Sequence, residues 1–387
     1  MMKQKLLFIN GHLNTGGVEK ALLDVLKHLD YSRYEVDLLL LEELGDYSSE
    51  LPGQVNVRLM SLKNTYGPLP QTLLRCLRQG DWFSLKMRLI LSLTKVFGRG
   101  QLCLAKGILT EGIHYHCVIG FRPGICTQIA AFAVNADHRL TWWHHGTINV
   151  GDSYLEEAEP CDRVVTVSQA CRDMLTEAFP SLEAKLAVVP NILDPQVIRS
   201  KADAFDPYSD KLMTHIVSVG RLSPEKHFED AICAARRLKD WGVAFQWHLV
   251  GDGVLREEFR QKAKEEEVDD CFLFEGNQVN PYPYMKNAHL FVHPSHVESF
   301  GIVILEALVL GVPSVVTKSP GACELLGDGR TGLLVEKDPD TLAKEVFRVL
   351  TDCELYQRLS ENAHCPDQFL PERVMELIEQ LLEESTC

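Results

Sequence analysis

Short apolar runs alternate along the chain with segments whose apolar residues recur at helical spacing. Lys5–Asn10 reads as a strand, Gly11–Gly17 as a loop and Val18–Leu29 as a helix, with Val18, Ala21, Leu22, Val25, Leu26 and Leu29 on one side. Strands follow at 36–41, 55–59, 116–121, 140–144 and 163–167, with Ser168 placed to cap the next helix. A second series begins after Pro190-Asn191-Ile192, with strands at 215–219, 245–250, 271–274, 289–293 and 313–317 and helices between them. Strand–helix alternation predicts parallel sheets covered on both faces. The expected fold class is therefore α/β, with two Rossmann-like doubly wound domains facing a cleft. The last amphipathic stretch, 371–384, carries Val374, Leu377, Ile378, Leu381 and Leu382 on its apolar side.

Composition narrows the classes. The chain has 387 residues, 45% hydrophobic and 24% charged, which suits folded domains rather than disorder. A net charge of −15 argues against a nucleic-acid-binding protein, because such binding needs a basic field. No uncharged apolar run reaches the length of a membrane-spanning helix, and the run at 6–9 is too short for a secretory leader. The 12 cysteines form no Cys-x-x-Cys pair and read as reduced, buried thiols of a cytoplasmic protein. One segment departs from the acidic average: residues 66–107 hold seven basic side chains (Arg75, Arg78, Lys86, Arg88, Lys95, Arg99, Lys106) against the single acid Asp81. Trp82, Phe83, Leu85, Met87, Leu89, Ile90, Leu91, Leu93 and Phe97 are interleaved with them. Two readings stand: a helical insertion packed on the first sheet, or an amphipathic docking surface for an anionic membrane leaflet.

Open α/β sheets bind ligands beyond the carboxyl ends of their strands, and four such loops carry suitable chemistry. In Gly220-Arg221-Leu222-Ser223-Pro224-Glu225-Lys226, a guanidinium fork and an ammonium converge, a combination suited to a diphosphate. In Glu298-Ser299-Phe300-Gly301, the segment opens a helix whose first N–H groups are unpaired, and Glu306 follows inside an otherwise apolar helix. A buried carboxylate needs a partner, which a ribose diol supplies. In the loop 11–19, Gly16-Gly17 permits close backbone approach to a phosphate or sugar. The fourth loop, Trp142-Trp143-His144-His145-Gly146, ends a strand, and Arg122 ends another in the same domain. Alternation along a strand turns only one of the two histidines toward a ligand. Each motif alone also fits a plain structural role. Metal chemistry is not expected: His293 and His296 are separated by a proline turn, and Asp338-Pro339-Asp340 reads as a helix start.

Together these motifs resemble family 4 of the retaining glycosyltransferases, of the two-domain GT-B fold. The matching stretches are Gly-Gly-Val-Glu at 16–19, Ser-Val-Gly-Arg-Leu…Glu-Lys at 218–226, Val-Gly-Asp-Gly at 250–253, His-Pro-Ser…Glu-Ser-Phe-Gly…Glu at 293–306, and Gly-Ala-Cys-Glu…Gly-Arg-Thr-Gly-Leu-Leu-Val at 321–335. The resemblance implies an acceptor domain at 1–190, a nucleotide-sugar donor domain at 195–370, and a tail helix at 371–387 crossing back onto the N-terminal domain. It implies that Arg221 and Lys226 hold the donor diphosphate and that Glu306 holds the ribose. Glu298, with Ser299, Phe300 and Gly301, would hold the sugar, while Gly16 and Gly17 approach the donor. The catalytic set implied is His145, Glu298, Arg221 and Lys226, with Arg122 and His144 toward the acceptor. His227 stands where the family often has a small residue or Asn.

The implied activity is metal-independent, retaining transfer of a hexose-type sugar, by default from a UDP-sugar, with no cofactor. The acceptor would be a hydroxyl of a glycan or lipid-linked molecule in bacterial capsular or other surface polysaccharide assembly. The enzyme would be cytoplasmic and peripheral on the inner membrane face through 66–107. Rival readings are a sibling GT-B epimerase or phosphorylase, a non-catalytic nucleotide-sugar sensor, and a nicotinamide-dependent oxidoreductase, the last lacking a Gly-x-Gly-x-x-Gly fingerprint.

Overall fold

A computed structural model describes residues 3–148, 154–210, 212–327 and 329–383. The chain forms two compact units, one from the stretch up to Ile192 joined by the chain from Glu372 onward, the other Leu193–Pro371. The first unit contains strands β1 (Gln4–Asn10), β2 (Tyr34–Leu40), β3 (Val55–Leu59), β4 (His114–Gly120), β5 (Asn135–Trp143), β6 (Arg163–Thr166) and β7 (Leu186–Val188). They form one parallel sheet in the order β3-β2-β1-β4-β5-β6-β7. The second contains β8 (Thr214–Val219), β9 (Phe245–Val250), β10 (Phe272–Gly276), β11 (Leu290–His293), β12 (Ser314–Thr317) and β13 (Leu333–Val335), in the order β10-β9-β8-β11-β12-β13. Both are doubly wound sheets, as the strand–helix alternation predicts.

The central strands are apolar on both faces because helices cover both sides. Leu6, Phe8, Ile9, Val118 and Ile119 in the first sheet and Ile216, Trp247, Leu249 and Val292 in the second are at most 1% exposed. The strand order reverses between β1 and β4 in the first unit, and between β8 and β11 in the second. At such a switch point the following connections run to opposite faces and leave a crevice at the carboxyl edge. The loops after β1, β4, β8 and β11 are the ones that carry the Gly-Gly, Arg122, Arg221–Lys226 and Glu298 motifs.

Three departures from the sequence reading have local causes. Strands β7 and β13 are three residues long, too short to show a period. Strand β5 starts at Asn135, upstream of the apolar run, because its first residues near the sheet rim include exposed Asp137 and half-buried His138 and Arg139. In the terminal helix, Pro371–Glu383, Leu377 is 37% exposed and Met375 buries in its stead. This helix packs on the first unit: the Leu382 carbonyl lies 2.9 Å from His116 Nε2, and Arg33 pairs with Glu379 at 3.1 Å and with Glu383. Glu384 and Cys387, which the sequence reading placed in the tail helix and among the thiols, lie outside the described residues. The other cysteines form no disulfide; Cys76, Cys117, Cys126, Cys161 and Cys171 are buried as expected, whereas Cys103, Cys323 and Cys353 are exposed and correct the expectation that all are buried.

The basic segment folds as two helices, α2 (Leu69–Gln79) and α3 (Trp82–Phe97), the helix α1 (Gly17–His28) preceding them. Helix α3 is apolar on two sides. Met87 and Ile90 bury in the core of the first unit with Leu102, Ala105 and Leu109. Trp82 (63% exposed), Leu89, Leu93, Val96 and Phe97 (68%) lie on solvent, at helical spacing with Lys86 among them. Leu74 and Leu77 of α2 are also exposed, and Leu74, Arg75 and Arg78 line a shallow open depression with Gln71 and Gln79. Both structural features expected of 66–107, packing on the sheet and an exposed apolar-basic face, are present together.

Candidate active site

In the second unit the site is built on the loops after β8 and β11. Strand β8 delivers Gly220 and Arg221, and the chain then makes a short 3-10 turn, Pro224–Lys226, before the helix Phe228–Asp240. The approach of this loop to its neighbour depends on glycine: at Gly251, φ is +145°, and a Cβ there would come within 1.9 Å of the Gly220 carbonyl oxygen. Arg221 is exposed, and among the described residues its guanidinium has no hydrogen-bond or ion-pair partner.

Lys226 is placed differently. Its ammonium donates to Glu298 Oε1 at 2.5 Å, and the same oxygen accepts from His293 Nε2 at 2.5 Å. Burial alone would raise the Glu298 carboxyl, but the Lys226 charge and the His293 hydrogen bond override it and hold Glu298 well below the usual carboxylate range. Burial also pushes His293 down, against the raising pull of Glu298. His293 is therefore neutral and donates its Nε2 proton, so the triad carries no net charge. The sequence reading took Lys226 as an uncommitted cation. The fold instead brings it 72 residues along the chain to a buried carboxylate, and a buried carboxylate needs such compensation.

The loop after β11 runs Ser295–Gly301 into the helix Ile302–Val309, with Gly301 at φ +88° as its cap. A side chain at this left-handed position would be strained. The helix thus starts one residue beyond Ser299-Phe300-Gly301. Phe300 is 3% exposed and packs edge-on to Phe369, so only its backbone remains for a ligand. Glu306 is 5% exposed within this helix and accepts from the Tyr282 hydroxyl at 3.0 Å. Tyr282 and His293 were missed as site residues. His293 sat beside Glu298 in the quoted motif, but nothing in the sequence showed its ring turning back onto that carboxylate.

In the first unit the loop after β1 leads into α1, with Gly16 as its cap. A Cβ on Gly16 would fall 2.4 Å from Glu19 Oε2. Glu19 is 3% exposed and lies 3.3 Å from Arg122 Nη1 and 3.6 Å from His12 Nδ1, while Arg122 Nη1 and His12 Nε2 are 3.3 Å apart. Arg122, expected as an open acceptor contact, shares its charge with Glu19. His12 and Glu19 join the site residues that sequence reasoning did not single out.

The doubled histidine lies just beyond β5, which ends at Trp143 and not at His144 as the sequence reading had it, so its two rings are set by the loop and not by strand alternation. His144 is 8% exposed, its ring 5.0 Å from that of Phe121, and burial lowers it to about 3, so it is neutral. His145 is exposed, edge-on to Trp143, whose indole Nε1 donates to the His145 carbonyl at 2.6 Å.

Residues 205–364 match the family model described as glycosyl transferases group 1. A Campylobacter jejuni enzyme, N-acetylgalactosamine-N,N'-diacetylbacillosaminyl-diphospho-undecaprenol 4-alpha-N-acetylgalactosaminyltransferase, is 30% identical over 366 residues, covering 93% of each chain. The chain belongs to the group 1 glycosyltransferases. A second relative, N-acetyl-alpha-D-glucosaminyl L-malate synthase of Bacillus anthracis, is 31% identical over 70% of this chain and 73% of its own. The fold is similar to that of the Anabaena protein HepE, crystallised with UDP and glucose, at a TM-score of 0.72 and 19% identity over 98% of this chain and all of that one. The two-sheet GT-B architecture and the glycosyltransferase class expected from the motifs are thereby established.

Proposed function

We propose that this glycosyltransferase moves a hexose-type sugar, with retention and without a catalytic metal, from a UDP-sugar to a hydroxyl of a lipid-linked glycan in surface polysaccharide assembly. The observation that carries this reading is the uncommitted Arg221 cation beside the neutral Lys226–Glu298–His293 triad at the β8/β11 switch point. A leaving nucleoside diphosphate gains negative charge as the sugar–oxygen bond breaks. Arg221 meets that charge directly, and Lys226 can turn part of its charge from Glu298 to the phosphate. Glu298, relieved of part of its ion pair, is then an acceptor for sugar hydroxyls. Glu306, oriented by Tyr282, accepts from the ribose diol.

In the proposed reaction the bond from the anomeric carbon to the phosphate oxygen breaks and a bond to the acceptor oxygen forms on the same face. The acceptor proton passes to the departing phosphate oxygen. The names of both relatives specify alpha products, the retained configuration when the donor is an alpha-linked nucleotide sugar. From the first unit we assign His145 to the donor sugar, Gly16 and Gly17 to the donor, and Arg122 and His144 to the acceptor. A lipid-linked acceptor is supported by the Campylobacter relative, whose name describes a diphospho-undecaprenol-borne glycan.

A thermal-shift panel of nucleotides and nucleotide sugars tests the donor. UDP and one UDP-sugar should raise the midpoint in proportion to the logarithm of ligand concentration, with EDTA present, and ADP or GDP should not. No shift with any uridine nucleotide would remove the donor reading.

No helix among the described residues is long and apolar enough to cross a membrane. We place the enzyme in the cytoplasm, docked on the inner leaflet through the exposed face of α2 and α3. There Trp82, Leu89, Leu93, Val96 and Phe97 would enter the headgroup boundary, and the excess of Lys and Arg answers the anionic surface. The protein should co-sediment with vesicles containing phosphatidylglycerol, release as salt is raised, and lose binding on Val96→Glu with Phe97→Glu. Equal binding to neutral and anionic vesicles would contradict this docking mode.

A further inference from the structure

Beside the donor loops the fold brings His296 to His227 and Asp230, which lie three residues apart at the start of one helix. His227 ends the turn that carries Lys226, in the left-handed conformation at φ +48°. Asp230 lies in the first turn of the helix Phe228–Asp240. His296 sits two residues before Glu298 in the loop after β11. The rings of His227 and His296 stack at 3.4 Å between centroids, 13° from parallel, and His296 Nε2 lies 2.8 Å from Asp230 Oδ2. One donor atom from each residue lies within 4.8 Å of the others. Glu229 Oε1 is 3.3 Å from His227 Nδ1.

We propose that His227, Asp230 and His296 form a binding site for a late first-row divalent cation of the zinc type. Two imidazoles and one carboxylate are nitrogen-rich for magnesium or calcium, and suit zinc, cobalt or nickel. Zinc–nitrogen bonds of about 2.0–2.1 Å place ligand atoms roughly 3.3 Å apart, so the widest separation in the cluster must close by up to about 1.5 Å. Imidazole binds a metal in its ring plane, so the His227 ring must swing out of its stack on His296 for both nitrogens to reach one ion; side-chain exposures of 17–33% leave room for that turn and for water at a further coordination position. Burial lowers His296, with Asp230 opposing, and a neutral imidazole is the form that ligates. The ion would replace the His296–Asp230 hydrogen bond and tie the Lys226 turn to the Glu298 loop. These loops already meet through His296 N donating to the Glu225 carbonyl at 3.2 Å and Ser295 Oγ to the same oxygen at 3.2 Å. The ion is a clamp on the spacing of these loops, not a participant in transfer, and its binding stands whether or not the donor assignment does.

The test is titration of the full-length protein with zinc and with cobalt(II), read by calorimetry and by cobalt absorption. One cation should bind in the micromolar range and give nitrogen/oxygen-type d–d bands, without the thiolate charge-transfer band that binding at exposed Cys103, Cys323 or Cys353 would give. His227→Asn, whose side chain tolerates the left-handed position, and His296→Gln should each weaken binding at least tenfold. Zinc should raise the melting midpoint of the wild type and not of either variant. Thermal unfolding in EDTA serves to confirm that both variants are folded, and Asp230→Asn replaces either that is not. Absence of stoichiometric binding, a thiolate band, or unchanged affinity in the folded variants would overturn the proposal.

Discussion

Arg221→Ala should lower kcat/KM for sugar transfer by on the order of 10²-fold, and Lys226→Ala by at least as much. One donor aimed at charge that develops in a transition state contributes about 2.7–4 kcal/mol, which is 10²–10³ in rate. The two variants differ in what they leave behind. Arg221 is exposed and uncommitted, so its loss should leave the melting midpoint of the ligand-free protein within a degree or so while abolishing the midpoint rise with UDP. Loss of Lys226 strips Glu298 of its ammonium and leaves the carboxylate buried with neutral His293 as its remaining partner. That variant should lose both transfer and intrinsic stability. Conservative replacement separates charge from geometry: Arg221→Lys should recover only part of the rate, because an ammonium cannot span two phosphate oxygens as a guanidinium fork does. Initial-rate measurement with the donor selected by thermal shift is the check. Near wild-type turnover of the Arg221→Ala, Lys226→Ala double variant would sink the donor-diphosphate assignment.

Glu298→Gln should cost about 3 kcal/mol of stability and flatten the acid limb of the stability curve. Breaking a buried pair leaves a partner uncompensated and typically costs about 3–5 kcal/mol, the lower end applying here because Lys226 is 19% exposed and can turn to water. The pH dependence follows from the direction of the shift. The folded-state pKa of Glu298 lies below its ordinary value of 4.5, so its contribution is full above that pH and is lost as pH falls through the folded value. His293 is lowered from 6.5, so the unfolded chain takes up its proton first and stability also falls below that pH. Wild-type stability should therefore decline on acidification from about pH 6.5 and more steeply below 4.5. In Glu298→Gln the steeper part is reduced by up to one proton, about 1.4 kcal/mol per pH unit. Chemical denaturation at pH 7, 5 and 4 measures this. An acid limb as steep in the variant as in the wild type would show that Glu298 is not held ionised by its partners.

Both predictions concern groups that the sequence named, yet their effects rest on contacts it did not show. Glu298 and Lys226 were each visible as parts of motifs, one after a strand and one before a helix. Their ion pair was not, because helical and strand periods carry information over a few residues and the pair spans 72. The same limit hid the role of His293. Its three-residue spacing from His296 was tested only against helical ligand geometry, whereas its ring faces Glu298 and that of His296 faces Asp230. Glu306 was expected to lack a partner without a ribose. Tyr282, from a separate short helix, supplies one and keeps it oriented.

The sequence by itself determined the two doubly wound sheets, eleven of their strands to within a few residues, and the family. Short apolar strands and amphipathic helices are local patterns that the chain shows without its fold. Only the tertiary structure decided which charges are spent and which are available. It committed Lys226 to Glu298 and Arg122 to Glu19, left Arg221 open, buried His144 and exposed His145, and stacked His227 on His296. The physical reason is that the availability of a charge depends on its neighbours in space and on the water it loses. Those are set by how strands β1, β4, β8 and β11 order themselves, which no local stretch of the chain encodes.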